Sequence, residues 1–398
     1  MPRVLSVINR LNIGGPTLHV AYLIKHLPSS YESLLVSGVI DDTEGSSNYI
    51  LDDLGLKPIV IPEMYREINP LRDSIALQKI KKIIKDFKPD IVHTHAAKSG
   101  ALGRLAAIQC NVPVTVHTFH GHVFHSYFGA LKTKAFLEIE RWLAKRTSKI
   151  IAISQLQKDE LSEVFKICPP EKIAVIPLGF ELEKFTNNTD SKRQLFRQKY
   201  LVEENEIVIS IIGRLVPVKN HYFFVETIKQ LIKNTTIPIR VFIVGDGELR
   251  TDLENNVAEA GIDFTDFQLS PRKALLTFTS WIREIEEVIA GSDIIALTSL
   301  NEGTPSSLIE AQAGGKPVVS TDVGGVRDIV LPGITGFVSS PHDTTTFAGN
   351  LLQLVENKEL RIKMGGNARS VTMDKYDLKR LMYDIEHLYS VLLNEAKH

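Results

Sequence analysis

The chain has 398 residues, of which 43% are hydrophobic and 23% charged, an ordinary globular composition with room for two or three separately cored domains. Cys110 and Cys168 are its only cysteines, which excludes a disulfide framework and a cysteine-rich metal centre and suits a reducing compartment. Net charge is −1, but residues 1–180 hold 22 Lys and Arg against 17 Asp and Glu, while the remainder holds 24 against 30.

Met1 leads straight into the strand-like RVLSVIN with no basic and apolar leader, and no apolar run approaches the roughly 20 residues a spanning helix needs. A cytoplasmic protein is expected. The positive first half reads either as solvated helix faces or as a surface for an anionic membrane, peripheral at the inner face of the cell membrane. LQKIKKIIKDFK, 77–88, fits both readings. No nucleic-acid partner is expected.

Short apolar runs alternate with longer amphipathic ones, and the alternation occurs twice. The first set of strands is expected at 4–9, 34–39, 58–61, 91–95, 114–117, 149–153 and 173–176, with helices at 17–27, 74–87, 100–109 and 131–146. The polar, turn-rich TNNTDSK interrupts the pattern, and 181–203 reads as a linker. Strands resume at 207–213, 240–245, 275–278, 293–297 and 318–321, with helices at 222–232, 248–260 and 307–313. Three more helices, 345–356, 359–370 and 377–395, close the chain. The alternation predicts two doubly wound, Rossmann-like α/β domains, 1–180 and 204–375, each with a parallel sheet covered on both faces. Ligands of such sheets bind beyond the strand carboxyl ends, so two domains facing each other would form a cleft.

Four strand-end loops could hold an anion. NIGGPT offers Gly14 and Gly15 ahead of a helix start, which reads as a phosphate-approaching turn or simply a tight strand–helix connection. GRLVPVKN places Arg214 and Lys219, a planar fork and a compact point charge, directly after IVISII. VGDGELR supplies Gly245 in a Gly-x-Gly turn that lacks the third glycine of a dinucleotide site. In SLNEGTPSSLIEAQAGGKPVV, Thr304, Pro305, Ser306 and Ser307 precede or open a helix, with hydroxyls able to cap it. Free N–H groups there attract anions, and Glu310, one turn on, could accept hydrogen bonds from vicinal hydroxyls such as those of a ribose. The bland alternative leaves Glu302 and Glu310 merely complementing the helix dipole.

In this order, over nearly the whole chain, these motifs resemble family-4 retaining glycosyltransferases with the GT-B fold. The E-x7-E pair, Glu302 and Glu310, lies inside S-x-x-E-G-x-P and A-x-G-x-P-V-V, and that setting gives the resemblance its specificity. The resemblance implies that Arg214 and Lys219 clamp the donor diphosphate without a metal or other cofactor. It implies that Glu310 holds the nucleotide ribose, that Glu302 lies near the transferred sugar and that the Gly15 amide faces the donor phosphates. It also implies that the last helix, 376–398, crosses back onto the first domain. A hexose or N-acetylhexosamine would pass from a nucleotide-diphosphate sugar, UDP favoured, to a glycan or lipid-linked acceptor in surface-polysaccharide assembly.

The segment VTVHTFHGHVFHSYFG carries His117, His120, His122 and His125, and IVHTH carries His93 and His95. Imidazoles invite a metal reading. The run has no neighbouring carboxylate or thiol and is not a helical H-E-x-x-H, so no metal is expected. Some of these strand-end histidines read as structural; His120, before Gly121, resembles the family's sugar-facing histidine, while His93, His95 and His122 are the candidates for the acceptor side. The rival readings are a nucleotide-sugar epimerase or hydrolase of the same fold and a non-catalytic nucleotide-sugar-binding protein. NAD-dependent oxidoreduction fits least, since the dinucleotide fingerprint is missing.

Overall fold

The computed structural model describes residues 1–11, 15–39, 48–65, 67–120 and 130–397. These residues form two units, one of 1–180 with 378–398 and one of 181–377.

Unit 1 is a seven-stranded parallel sheet made of β1 (Arg3–Ile8), β2 (Glu32–Ser37), β3 (Ile59–Val60), β4 (Ile91–His95), β5 (Val114–Phe119), β6 (Lys149–Ala152) and β7 (Ile173–Val175). Their spatial order is β3-β2-β1-β4-β5-β6-β7. The order reverses between β1 and β4, and a doubly wound sheet opens its ligand crevice at such a reversal. The crossovers carry α1 (Gly15–His26), α2 (Asn48–Asp53), α3 (Pro70–Phe87), α4 (Ala97–Gln109), α5 (Ala130–Arg146) and α6 (Gln155–Asp159). Every residue of β4 and β5 is buried, as both faces of a parallel sheet are covered. That burial includes the histidines near their carboxyl ends.

Unit 2 begins with two helices, α7 (Glu183–Thr186) and α8 (Thr189–Lys199). Its sheet holds β8 (Ile207–Ile212), β9 (Ile239–Val244), β10 (Phe264–Asp266), β11 (Leu276–Phe278), β12 (Ile294–Leu297), β13 (Val318–Thr321) and β14 (Gly336–Ser339). The order is β10-β11-β9-β8-β12-β13-β14, all parallel, so the reversal here lies between β8 and β12. The connecting helices are α9 (His221–Asn234), α10 (Arg250–Glu259), α11 (Ile285–Gly291), α12 (Ser306–Ala313), α13 (Thr344–Glu356) and α14 (Lys358–Tyr376).

The last helix, α15 (Leu378–Glu395), returns to unit 1. Leu381, Ile385, Tyr389 and Leu392 recur at helical spacing and bury against Val4, Ile91, Val114 and Ile176. The approach is close: a Cβ on Gly179 would stand 2.5 Å from that of Leu381.

The stretch 181–203 is not a linker. Phe196 of α8 is buried against Phe242 and Val288. Arg197 and Arg193 pair with Asp293 at 2.7 and 2.9 Å, joining the helix to the unit-2 sheet. The polar residues that suggest a linker span the turn between α7 and α8 and the first turn of α8, and none of them is buried. The sequence reading also omits β10, β14 and α11, each too short to show its period.

Candidate active site

In unit 2 the loops after four adjacent strands, β9, β8, β12 and β13, meet along one sheet edge. Backbone packs directly on backbone there. Gly245, at φ +138°, lies so close to the Gly213 carbonyl that a Cβ would stand 2.0 Å from the oxygen. Gly324, at φ +49°, bears the same relation to the Glu302 carbonyl, at 1.9 Å. No side chain fits at either position. Leu215 N–H donates to Asp246 O and Gly325 N–H to Glu302 O, tying the loops in pairs.

Lys219 and Glu302, expected to act separately, form an ion pair with Nζ to Oε1 at 2.5 Å. Ser299 Oγ donates to the same carboxylate oxygen at 2.6 Å. Thr298, buried, donates to the Lys219 carbonyl at 2.9 Å, and Thr321 donates to the Ser299 carbonyl at 2.6 Å. The lysine and the glutamate are therefore held at both backbone and side chain. Arg214, two residues beyond β8, is exposed and makes no side-chain bond among the described residues. Its guanidinium is available to an anion.

The expected hydroxyl cap of α12 is not formed. Pro305 occupies the cap position, buried and without a capping side chain, because a pyrrolidine has no acceptor to offer the first turn. Among the described residues, the side chains of Thr304, Ser306 and Ser307 make no hydrogen bond. The start of α12 thus presents free hydroxyls and first-turn N–H groups, the arrangement that receives an anion. Gly245 offers no such group. Its N–H donates to Ser280 O at 3.0 Å, so its part is to let the loops meet.

Glu310 faces a different environment from Glu302. It lies one turn into α12, its carboxylate deep in the fold though the residue is partly accessible, and among the described residues nothing donates to it. Burial pushes its pKa up to about 7; Lys184 of α7 opposes the rise and Glu286 adds to it. A desolvated carboxylate without a protein donor is ready to accept bonds from a ligand's hydroxyls.

In unit 1 the strand-end histidines converge near the β1/β4 reversal. His93 Nδ1 meets Tyr389 Oη and its Nε2 meets Thr118 Oγ1, each at 2.7 Å. With 0% exposure and both nitrogens occupied, His93 has nothing to offer an acceptor, contrary to expectation. It holds α15 to the sheet. His95 is equally buried, so it cannot line an open acceptor surface either; its Nδ1 meets His120 Nε2 at 3.0 Å. His117 bonds Thr94 at 2.8 Å. His19, one turn into α1, stands over His120 with ring centroids 5.1 Å apart. Burial lowers the pKa of all five histidines, His93 to about 3 and His120 to about 4. They are neutral at physiological pH.

Gly15 opens α1 with open space where a Cβ would stand, compatible with close approach by a ligand. Gly14, His122 and His125 lie outside the described residues. The sequence reading missed His19, Ser299 and Thr298. His19 could have been found by its place one helical turn beyond Gly15, whereas Ser299 and Thr298 look like any strand-end hydroxyls.

Residues 13–184 match the family model "Glycosyltransferase Family 4", and residues 192–371 match "Glycosyl transferases group 1". A curated relative from Escherichia coli, UDP-Gal:alpha-D-GlcNAc-diphosphoundecaprenol alpha-1,3-galactosyltransferase, is 35% identical over 347 residues, covering 85% of this chain and 84% of its own. The putative glycosyltransferase EpsD of Bacillus subtilis is 25% identical over 80% of each chain. Among solved structures, Anabaena HepE in complex with UDP superposes with a TM-score of 0.79 at 20% identity, covering 98% of this chain and 100% of its own. WaaG, a glycosyltransferase involved in lipopolysaccharide biosynthesis, superposes with a TM-score of 0.70 at 17% identity, covering 96% and 98%. At those identities the structures speak for the fold alone, two doubly wound parallel sheets of the GT-B type.

Proposed function

The chain belongs to glycosyltransferase family 4, and from that premise we propose that it transfers a hexose from a UDP-sugar to a lipid-linked glycan with retention of anomeric configuration. UDP-galactose is the first donor to test and a diphosphate-lipid-linked N-acetylglucosamine the first acceptor, by likeness to the Escherichia coli relative. The observation that carries the donor side is the unit-2 edge, where Lys219 is fixed against Glu302 beside an unpaired Arg214 and the open start of α12.

On this reading Arg214, Lys219 and the α12 N–H groups neutralise the diphosphate as it departs, and no metal ion is needed there. Glu302, already bonded to Lys219 and Ser299, orients the sugar. Glu310 accepts the ribose hydroxyls. The bond from the anomeric carbon to the phosphate oxygen breaks as the bond to the acceptor oxygen forms on the same face. The acceptor's proton passes to the departing phosphate, so no side chain acts as a covalent nucleophile. His120 is assigned the sugar contact that the family resemblance implies. Its Nδ1 is buried without a partner and its Nε2 is bound to His95, so the ring must turn a nitrogen outward when sugar is present.

No described helix is long and apolar enough to cross a membrane. We assign the contact with anionic lipid to a groove along the end of α5, where Arg141, Lys145, Arg146, Lys166 and Lys172 surround Trp142 and the carboxylate there is Glu138. Arg146 lies over the half-exposed Trp142 ring at 4.2 Å, an amphipathic pairing suited to a headgroup layer. Sedimentation with phosphatidylglycerol vesicles tests this, and binding indifferent to salt or to Lys145→Glu would refute it.

The deciding experiment incubates the protein with UDP-galactose and the lipid-linked acceptor, with and without chelator, and identifies the product linkage. An α-linked galactosyl product formed equally with chelator is expected. Free galactose as the only product, whether or not acceptor is present, would make the protein a hydrolase instead.

A further inference from the structure

Among the described residues, His19, His95 and His120 each offer a ring nitrogen, and these atoms all lie within 4.8 Å of one another. Four nitrogens of this group, both of His19, Nε2 of His95 and Nδ1 of His120, are buried without a hydrogen-bond partner. Buried polar atoms of native folds are nearly always satisfied, and a cluster of orphans calls for an occupant. His19 is the telling member, since neither of its nitrogens has a hydrogen-bond partner among the described residues.

We propose that His19, His95 and His120 form a binding site for a divalent transition metal of the zinc class. Three imidazoles with no carboxylate among them suit zinc, cobalt or nickel and not magnesium or calcium, which prefer oxygen. Tetrahedral zinc at about 2.0–2.1 Å from each nitrogen places its ligands about 3.3 Å apart. His95 Nδ1 and His120 Nε2 already approach to 3.0 Å through a hydrogen bond, which the metal replaces as each ring carries its proton on its other nitrogen. Burial keeps all three rings neutral at physiological pH, so each carries one unprotonated nitrogen. A supporting shell exists: the His93 ring packs against His95 at 4.1 Å and is itself fixed by Tyr389 and Thr118. The fourth position would be left to water or a ligand, on the side where His120 is partly accessible. The site lies in unit 1, apart from the diphosphate clamp proposed for unit 2, but it shares His120 with the sugar contact proposed above, so metal and donor sugar compete for that ring.

The test uses the full chain, stripped by chelator and dialysed, titrated with zinc by calorimetry and with cobalt by visible absorption. One equivalent of zinc should bind, and cobalt should give the d–d bands of a four-coordinate, nitrogen-rich site. His19→Gln, checked for folding by thermal melting, should weaken binding by about 100-fold through loss of one of three ligands. His342→Gln, at an exposed position in unit 2, should leave it unchanged. Absence of stoichiometric binding to the wild-type chain overturns the site, as does equal affinity in His19→Gln. Should that variant fail to fold, the cobalt spectrum of the wild-type protein decides, and one without four-coordinate bands is a refutation.

Discussion

The carboxyl edges of the two sheets occupy equivalent topological positions, each at the reversal of a doubly wound strand order, yet they manage ionisable groups in opposite ways. Unit 1 packs five histidines there and keeps them uncharged by burial. Unit 2 retains charge at its edge, pairing Lys219 with Glu302 and leaving Arg214 in solvent, while burial raises the pKa of Glu310 and lowers that of His221 to about 4. Topology decides where a site can be; desolvation and pairing decide which protonation states it holds.

The largest expected effect is a pH dependence of opposite sign in the two units. A histidine with depressed folded pKa contributes stability that is present above its unfolded value near 6.5 and lost as pH falls toward the folded value. Each of the five should forfeit about 1 kcal/mol between pH 7.5 and 5.5. Glu310 behaves inversely: its pKa rises on folding from 4.5 to about 7, so its burial penalty grows with pH across that window and is relieved in acid. Hydrogen exchange followed by unit should show unit 1 losing protection at pH 5.5 while unit 2 holds, because there the one buried histidine so shifted, His221, is offset by Glu310. Parallel loss in both would break the contrast.

Next in size is Lys219→Ala, which removes the cation and strands Glu302. Transfer measured as kcat/KM should fall about 10²–10³-fold, the range seen when a preorganised electrostatic group is removed. Glu310→Gln sharpens the contrast from the other side. Stability at pH 8 should rise, by up to about 3 kcal/mol if the whole shift is recovered, while calorimetry with UDP should show about tenfold weaker binding, the value of one charge-assisted hydrogen bond. Tighter binding by the variant would remove the ribose role. Arg214→Ala should lower kcat/KM about tenfold with an unchanged melting temperature, because the side chain is exposed and makes no hydrogen bond or ion pair among the described residues. The smallest effect is Tyr389→Phe. Leaving His93 Nδ1 unsatisfied should cost about 1–2 kcal/mol in denaturant unfolding, confined to unit 1.

Much of the fold was legible because a parallel sheet buries whole strands. Runs such as IVISII and VVST announce themselves, and the helices between them carry a 3.6-residue period. Segments too short to show a period, such as FTD of β10, were not legible. Neither was α8, whose buried Phe196 is outnumbered by charged neighbours. Of the site, the residue types and their places at strand ends could be read directly. Which of them touch could not: the Lys219–Glu302 pair spans 83 positions, and the His93–Tyr389 bond spans 296.

The sequence by itself determined the two doubly wound units and the strand-end loops that carry Arg214, Lys219, Glu302 and Glu310. Each is written in local period, glycine placement and spacing. Only the tertiary structure decided that Lys219 is tied to Glu302, that Pro305 leaves α12 without a side-chain cap, and that His93 and His95 are core while His19 joins His120. Those outcomes depend on burial and on contacts between distant segments, and no local pattern of residues encodes how much water a folded chain excludes from a given side chain.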